Sequence, residues 1–286
     1  MGKKIETFAQ LTNMLKCAAD TSPTYKKIAA YINSNYLQIV FMTTNELADQ
    51  IGVSQGSISR FFMALGYRGY NDFLQNLQNI VSKELTAPKR LQFSENQGVK
   101  DKYIHSLISN ELANMEKLST VTALPEYDAF TSMLADDKPL ILLSSRMSAT
   151  IVPYIQYILS KMRDFVYTYT PQMPQWDSLS LIDPAKVNIM AVMFPRYPRL
   201  AVEKCLCLKE KGFKIYGVTD SEFSPLIECC EKAICVPLTV SSIFDIYSTP
   251  MIFFNMLLRD AAKKIPNITE RMEKIEALET ANQVYY

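Results

Sequence analysis

The sequence predicts an α-helical helix-turn-helix bundle followed by an α/β domain with a doubly wound, five-stranded parallel sheet. Three observations predict it: the chain length, helical spacing of apolar residues around a tight glycine turn in the first third, and short apolar runs alternating with helical stretches beyond it. The 286 residues suffice for two domains of ordinary size. Residues 86–100 mix proline, glycine and polar side chains without periodicity, as a linker does. We therefore place the domains at residues 1–85 and 101–286.

The first domain is predicted to be helical from the spacing of its apolar residues. Apolar residues recur at helical spacing behind the start signal at Pro23, which predicts an amphipathic helix. A shorter helix, Asn45 to Gln50, leads through Gly52 to another helix at Ser54 to Leu65, and a fourth begins at Asn71. Two helices joined by a tight glycine turn are typical of a helix-turn-helix.

Each position of that turn has a steric reason. Ala48 is small because two helices cross there, and Gly52 ends the first helix at positive φ without a Cβ penalty. Ser54 is suited to cap the next helix by accepting a backbone N–H. The apolar wedge behind the turn consists of Leu47, Ile51, Val53, Ile58 and Phe61 or Phe62.

The outward side of the second helix is polar, which favours entry into the major groove of double-stranded operator DNA. Glutamine suits adenine, and arginine suits guanine or phosphate. Residues 1–90 hold ten basic and six acidic side chains, a weak positive bias that fits a DNA partner. A three-helix bundle without DNA contacts is the alternative. The predicted DNA-binding residues are Thr44, Ser54, Gln55, Ser57, Ser59 and Arg60.

The second domain is predicted from five apolar, β-branched runs separated by helical stretches, which imply parallel βαβ units with right-handed crossovers. After helices at about 101–119 and 125–135, the runs are Leu140–Leu143, Phe165–Tyr169, Val187–Phe194, Lys214–Thr219 and Ala233–Pro237.

Ligands of such sheets bind beyond the carboxyl ends of the strands, where loop N–H groups and helix starts favour anions. The loop after the first run offers the hydroxyls of Ser144, Ser145 and Ser148, and also Arg146. The loop after the third run contains Arg196, Tyr197 and Arg199. The guanidinium groups of the two arginines suit a phosphate or a carboxylate. The two arginines could instead form structural ion pairs with neighbouring acids.

Residues from about 7 to 80 resemble the N-terminal domain of the RpiR family of bacterial sugar-metabolism regulators. The residues that carry the resemblance are Ala48-x-x-x-Gly52-Val53-Ser54, Ile58-x-Arg60-Phe61 and Leu65-Gly66-Tyr67-x-Gly69-Tyr70-x-x-Phe73. The family joins this domain to a sugar isomerase (SIS) domain, whose length and strand–helix order fit the chain after residue 100. The resemblance implies that the second domain is SIS-like and senses a phosphorylated sugar or a related anionic small molecule.

The second domain departs from the SIS pattern at both loops. Of a Gly-x-Gly-x-Ser loop only Ser148 remains, and Phe194-Pro195-Arg196-Tyr197-Pro198-Arg199 stands where similar proteins have Ser-x-Ser-Gly-x-Thr. The segment from Thr219 to Leu226 is similar to the one after the fourth SIS strand. There Ser224 either contacts the ligand or caps a helix starting at Pro225.

The resemblance and the composition together indicate a cytoplasmic regulator that is not an enzyme, with no cofactor, no metal and no membrane partner. The single histidine, His105, and the six cysteines show no catalytic or metal-ligand spacing. A homodimer or homotetramer is expected, because one recognition helix reads too few bases for useful specificity. Two alternatives stay open: a second domain that serves only as a dimerisation platform, and an active sugar-phosphate isomerase.

Overall fold

The computed structural model describes residues 5, 8–39, 42–84, 100–222, 224–240 and 245–285. The predicted linker, 86–100, lies outside these residues except for Lys100. The chain divides into two compact units. The N-terminal unit comprises Met1–Ser109 with Val240–Asp245, and the C-terminal unit comprises Asn110–Thr239 with Ile246–Tyr286.

Five helices form the N-terminal unit before the predicted linker: α1 (Phe8–Ala19), α2 (Pro23–Ile39), α3 (Thr44–Ile51), α4 (Gln55–Ala64) and α5 (Tyr70–Glu84). Their core contains Ile28, Ile32, Leu47, Ile58, Phe61, Phe62 and Phe73, all fully buried. The rings of Phe62 and Phe73 stack with centroids 4.3 Å apart, which joins α4 to α5. Helix α1 was not predicted from the sequence.

A buried asparagine ties the start of the chain to α5. The Asn76 side chain accepts the Ile5 N–H at 3.0 Å and donates to the Ile5 carbonyl at 2.7 Å. The same Asn76 oxygen accepts the Tyr67 hydroxyl at 2.7 Å. These bonds satisfy both backbone groups of Ile5, which is itself buried in the core.

The remaining helices are α6 (Lys100–Thr122), α7 (Pro125–Ala135), α8 (Val152–Met162), α9 (Arg199–Glu210), α10 (Ser248–Ala262) and α11 (Ile268–Ala281). The strands are β1 (Leu140–Ser144), β2 (Val166–Tyr169), β3 (Asn188–Val192), β4 (Ile215–Thr219) and β5 (Lys232–Cys235), followed by the short pair β6 (Thr239–Val240) and β7 (Asp245–Ile246).

Strands β1 to β5 make one parallel sheet in the order β2-β1-β3-β4-β5. Successive side chains of β1 enter different cores: Leu140 and Leu142 pack with α8 and α10, whereas Ile141 and Leu143 pack with α9. Because both faces are covered by helices, the strands are apolar throughout. The predicted doubly wound α/β fold is confirmed.

None of the helices in the described part of the chain is long and apolar enough to cross a membrane.

Candidate functional site

The turn between α3 and α4 has the predicted geometry. Gly52 has a φ of 71°, and its N–H donates to the Ala48 carbonyl at 2.9 Å, which ends α3. The Ser54 hydroxyl caps α4 by accepting the Ser57 N–H at 3.2 Å. At its other end, α3 begins with a capping box between Thr43 and Glu46. Both ends of this short helix are therefore fixed.

Helix α4 has one buried and one exposed side. Ile58, Phe61 and Phe62 are fully buried in the core of the N-terminal unit. On the other side Gln55 and Arg60 are exposed. This division gives the helix a polar outer surface on a rigid apolar base.

The other predicted DNA contacts are distributed around that surface. Ser54 is exposed, whereas Ser57 and Ser59 are half-buried, as is Thr44 at the start of α3. The Ser57 hydroxyl lies 2.9 Å from that of Ser54 and accepts a bond from Arg60 Nη2 at 3.4 Å. The guanidinium group is thus held by a single long bond, which leaves most of its donors available.

In the C-terminal unit, the chain leaves β1 and β3 in opposite directions. Helix α8, which follows β1, packs on one face of the sheet, and α9, which follows β3, packs on the other. Since β1 and β3 are neighbours in the sheet, their carboxyl ends form the topological switch point at which ligands of open α/β sheets generally bind. The predicted ligand loops follow the two strands at this switch point.

The three predicted hydroxyls of the first loop are buried. Ser144 donates to the Val192 carbonyl at 2.7 Å, and the Ser148 oxygen accepts the Phe194 N–H at 2.9 Å. Ser145 is 2% exposed. Ser144 therefore joins the ends of β1 and β3, and Ser148 joins the loops that follow them.

The three predicted residues of the loop after β3 differ in exposure and in hydrogen bonding. Arg196 is exposed, and Arg199 is an exposed residue that forms an ion pair with Glu203 at 2.6 Å, the structural pairing considered from the sequence. Tyr197 is half-buried and donates its hydroxyl to Asp220 at 2.7 Å. Burial, with the negative charge of Asp220, raises the pKa of Tyr197 far above its usual value.

Ser224 is buried, and its hydroxyl accepts the Leu226 N–H at 3.3 Å. This is the capping role considered from the sequence, although no α-helix starts at Pro225. The chain forms a turn there, followed by one 3₁₀ helix at Ile227–Cys229, because β5 begins only three residues later.

Two features of the C-terminal unit were not predicted from the sequence. Arg146, like Arg196, has a left-handed backbone, with φ values of 56° and 63° respectively. Such a conformation costs a residue with a side chain about 1–2 kcal/mol. In the sequence, only the absence of the glycines that SIS domains carry in the loop after the first strand hints at the conformation of Arg146.

The second overlooked feature is Glu111 on α6, which is 6% exposed. One of its carboxylate oxygens accepts the Ser248 and Thr249 hydroxyls at the start of α10, and the other has no hydrogen-bond partner among the residues that the structure describes. A buried carboxylate of this kind carries no periodic signal in the sequence.

Within the described residues, no cluster of three or more histidine, cysteine or acidic side chains could hold a metal ion. The six cysteines are free, and burial raises the pKa of the Cys205 thiol well above its usual value.

Two family models match the chain. Residues 9–84 match the helix-turn-helix domain of the rpiR family, and residues 133–259 match the SIS domain. No curated protein sequence matches the chain.

Two solved structures share the fold at low sequence identity. The NanR protein of Vibrio vulnificus, complexed with ManNAc-6P, is 15% identical, with a TM-score of 0.52 over 95% of this chain and 98% of that one. The sugar isomerase domain of an RpiR transcription factor from Sphaerobacter thermophilus is also 15% identical, with a TM-score of 0.53 over 59% of this chain and 97% of that one. With an rpiR-type helix-turn-helix domain followed by a SIS domain, the chain belongs to the RpiR family of transcription regulators.

Proposed function

We propose that the protein binds operator DNA through α4 and that an anionic metabolite, most simply a phosphorylated sugar, changes its operator affinity by binding the SIS domain. The observation that carries the DNA-binding part is the division of α4 into a fully buried apolar side and an exposed side with Gln55 and Arg60. A helix held this firmly presents its polar residues to the major groove with little loss of conformational entropy on binding.

Arg60→Ala tests this part. We expect operator affinity to fall about 5–150-fold, the equivalent of the 1–3 kcal/mol that one good arginine–base contact contributes. Fluorescence anisotropy with an operator obtained by in vitro selection measures it. Arg259→Ala is the matched control, because Arg259 is a 63%-exposed arginine of the C-terminal unit. Unchanged operator binding by Arg60→Ala would remove α4 from the interface.

The ligand-sensing part is supported by the switch point between β1 and β3, because the exposed Arg146 and Arg196 lie in the loops that follow these two strands. NanR, which shares the fold, forms a complex with a sugar phosphate. Sensing requires only that the ligand bind the two states of the regulator unequally, with a coupling of about 1–3 kcal/mol.

We further propose that the SIS domain does not turn its ligand over. The only histidine, His105, is exposed on α6, where no packing fixes it as a general base. Thermal-shift measurements with sugar phosphates, run beside a turnover assay, test both statements. Stabilisation without conversion is expected, and conversion would make the protein an isomerase.

A ligand-free dimerisation platform is the second candidate function. It is favoured by the internal bonds of Ser144 and Ser148, which occupy hydroxyls that a phosphate would otherwise use. Absence of stabilisation by every anionic metabolite in the same thermal-shift series would support this candidate over sensing.

A further inference from the structure

The second residue of α4 is a glycine that the backbone does not require. Gly56 is exposed and has no positive φ, so alanine would adopt the same conformation without strain. Glycine inside a helix lowers stability relative to alanine. The lack of a side chain at this position therefore indicates that the space over its Cα is used for something else.

The Arg60 side chain occupies that space. It points back along α4 over the preceding turn, as long side chains on helices do. A Cβ added to Gly56 would lie 3.7 Å from Arg60 Nη1 and 4.0 Å from Arg60 Nη2, in ordinary van der Waals contact. The guanidinium group thus lies over the first turn of α4, although the Cα of Arg60 belongs to the next turn.

The Ser57 hydroxyl holds the guanidinium group in this position. It accepts a bond from Arg60 Nη2 at 3.4 Å and lies 2.9 Å from the hydroxyl of Ser54, which caps α4. The cap itself uses the backbone N–H of Ser57, at 3.2 Å. The Ser57 hydroxyl is therefore not needed to start the helix, and its contact with Arg60 is a separate interaction.

The contact with Ser57 leaves Arg60 able to bind a base. A guanidinium group has two edges that each present two parallel N–H donors, and each edge includes one Nη2 hydrogen. Whichever of these hydrogens Ser57 accepts, it leaves the other edge intact. Two parallel donors match the O6 and N7 acceptors of guanine in the major groove, and the first residues of a recognition helix are those that contact base edges.

We propose that Ser57 is a positioning residue, which holds Arg60 over the first turn of α4 so that its remaining edge reads a guanine in each operator half-site. This role rests on the DNA-binding part of the proposed function. Positioning strengthens binding because an unrestrained arginine side chain loses more rotamer freedom when it contacts a base. The bare Cα of Gly56 provides the room in which the guanidinium group lies.

A change of one atom in the DNA tests the base. The analogue 7-deazaguanine pairs as guanine does but lacks the N7 acceptor. It would replace each guanine in turn, in both half-sites of an operator obtained by in vitro selection. Fluorescence anisotropy with the full chain should find one guanine whose replacement weakens wild-type binding about fivefold or more. The same replacement should change the affinity of Arg60→Ala by less than about twofold.

A double-mutant cycle tests the positioning role. Ser57→Ala should weaken binding of the unmodified operator about threefold to tenfold and reduce the effect of 7-deazaguanine at that same guanine. Added to Arg60→Ala, it should change the affinity by less than about twofold, because Ser57 acts through the arginine. The melting temperature should be unchanged, since the Ser54 cap is kept.

Ser119→Ala is the matched control for the loss of a hydroxyl. Ser119 is an exposed helical serine of the C-terminal unit, and its hydroxyl donates to the Glu116 carbonyl at 2.8 Å. Its replacement should leave both the operator affinity and the effect of 7-deazaguanine as in wild type.

Three results would overturn this role while leaving α4 in the interface. Ser57→Ala could bind the operator as tightly as wild type, which would remove the positioning effect. It could weaken binding equally with and without Arg60, in which case Ser57 contacts DNA itself. Finally, 7-deazaguanine could affect wild type and Arg60→Ala alike at every position, which would exclude guanine N7 as the group that Arg60 binds. Unchanged operator binding by Arg60→Ala would instead refute the proposed role of α4 as a whole.

Discussion

Single polar residues hold distant parts of the N-terminal unit together, and Asn76 is the clearest case. Its side chain bonds both backbone groups of Ile5 and the hydroxyl of Tyr67. Asn76→Ala should lower the free energy of unfolding by about 2–4 kcal/mol, because it leaves several buried polar groups without partners. Urea unfolding followed by far-ultraviolet circular dichroism measures the change.

An exposed asparagine gives the matched control for that change. Asn33 accepts one bond from Thr12 at the surface, so Asn33→Ala should alter stability by less than about 0.5 kcal/mol. Equal losses from both substitutions would show that the bonds to Ile5 contribute nothing. The fluorescence of Trp176, the only tryptophan, reports the C-terminal unit and should be unaffected by either variant.

Because the Tyr67 hydroxyl ionises at a higher pH in the folded state than in the unfolded state, the free energy of unfolding should depend on pH in the alkaline range. Burial is the main reason that the pKa of Tyr67 is raised from 10.0 to about 12. A raised folded-state pKa gives a contribution that is complete below about pH 10 and is lost as the pH rises towards 12. The stability advantage of wild type over Tyr67→Phe should therefore shrink by about 2–3 kcal/mol across this window. Urea unfolding of both proteins at several alkaline pH values checks it, and a constant difference would contradict the assignment.

At the scale of elements, the helix-turn-helix contains two glycines whose replacement by alanine should have opposite effects on stability. Gly52 has a φ of 71°, whereas Gly56 lies in α4 with no positive φ and no neighbour closer than 3.7 Å to an added Cβ. Gly52→Ala should destabilise the unit by about 1–2 kcal/mol through left-handed strain. Gly56→Ala should stabilise it by about 0.5–1 kcal/mol, because alanine restricts the unfolded chain and suits a helix. The melting temperatures of the two variants check both effects. If both variants shifted the melting temperature in the same direction, the assignment of left-handed strain to Gly52 alone would be wrong.

Elements with a strong local signal were predictable from the sequence. The capped ends of α3 and α4 follow from residues such as Gly52 and Ser54, and the five strands from apolar runs buried on both faces of a sheet. Helix α11 was missed because it has no buried residue and hence no clear apolar periodicity.

For the candidate ligand site, the sequence could predict only which residues follow the carboxyl end of a strand. The sequence placed Ser144 and Arg196 at the carboxyl ends of the first and third strands, and the structure shows that these two strands are neighbours. It could not indicate that the Ser144 hydroxyl bonds across to Val192, or that Arg146 is left-handed, since both depend on tertiary packing. Which of these residues contact DNA or ligand stays a prediction.

For the molecule as a whole, we expect regulation to depend on assembly as well as on the two proposed sites. A homodimer is expected, since a palindromic operator needs two recognition helices. Helix α6 carries an apolar stripe at four-residue spacing: Ile104, Ile108 and Leu112 are 41%, 50% and 56% exposed. Apolar residues aligned along one side of a helix are typical of a surface that packs on a partner. We predict that this partner is a second copy of the chain.

Combining Ile108→Glu with Leu112→Glu should therefore give a monomer, because two charges would be buried against the same charges of the second copy. Operator affinity should fall about a hundredfold or more, since each half-site is then bound without the gain from simultaneous engagement. Light scattering gives the mass and anisotropy the affinity. Leu181→Glu is the control: Leu181 is 84% exposed and does not belong to α6, so its substitution should leave both values unchanged. A double variant that remains dimeric would move the interface away from α6, whereas a monomer with undiminished operator affinity would show that one recognition helix suffices.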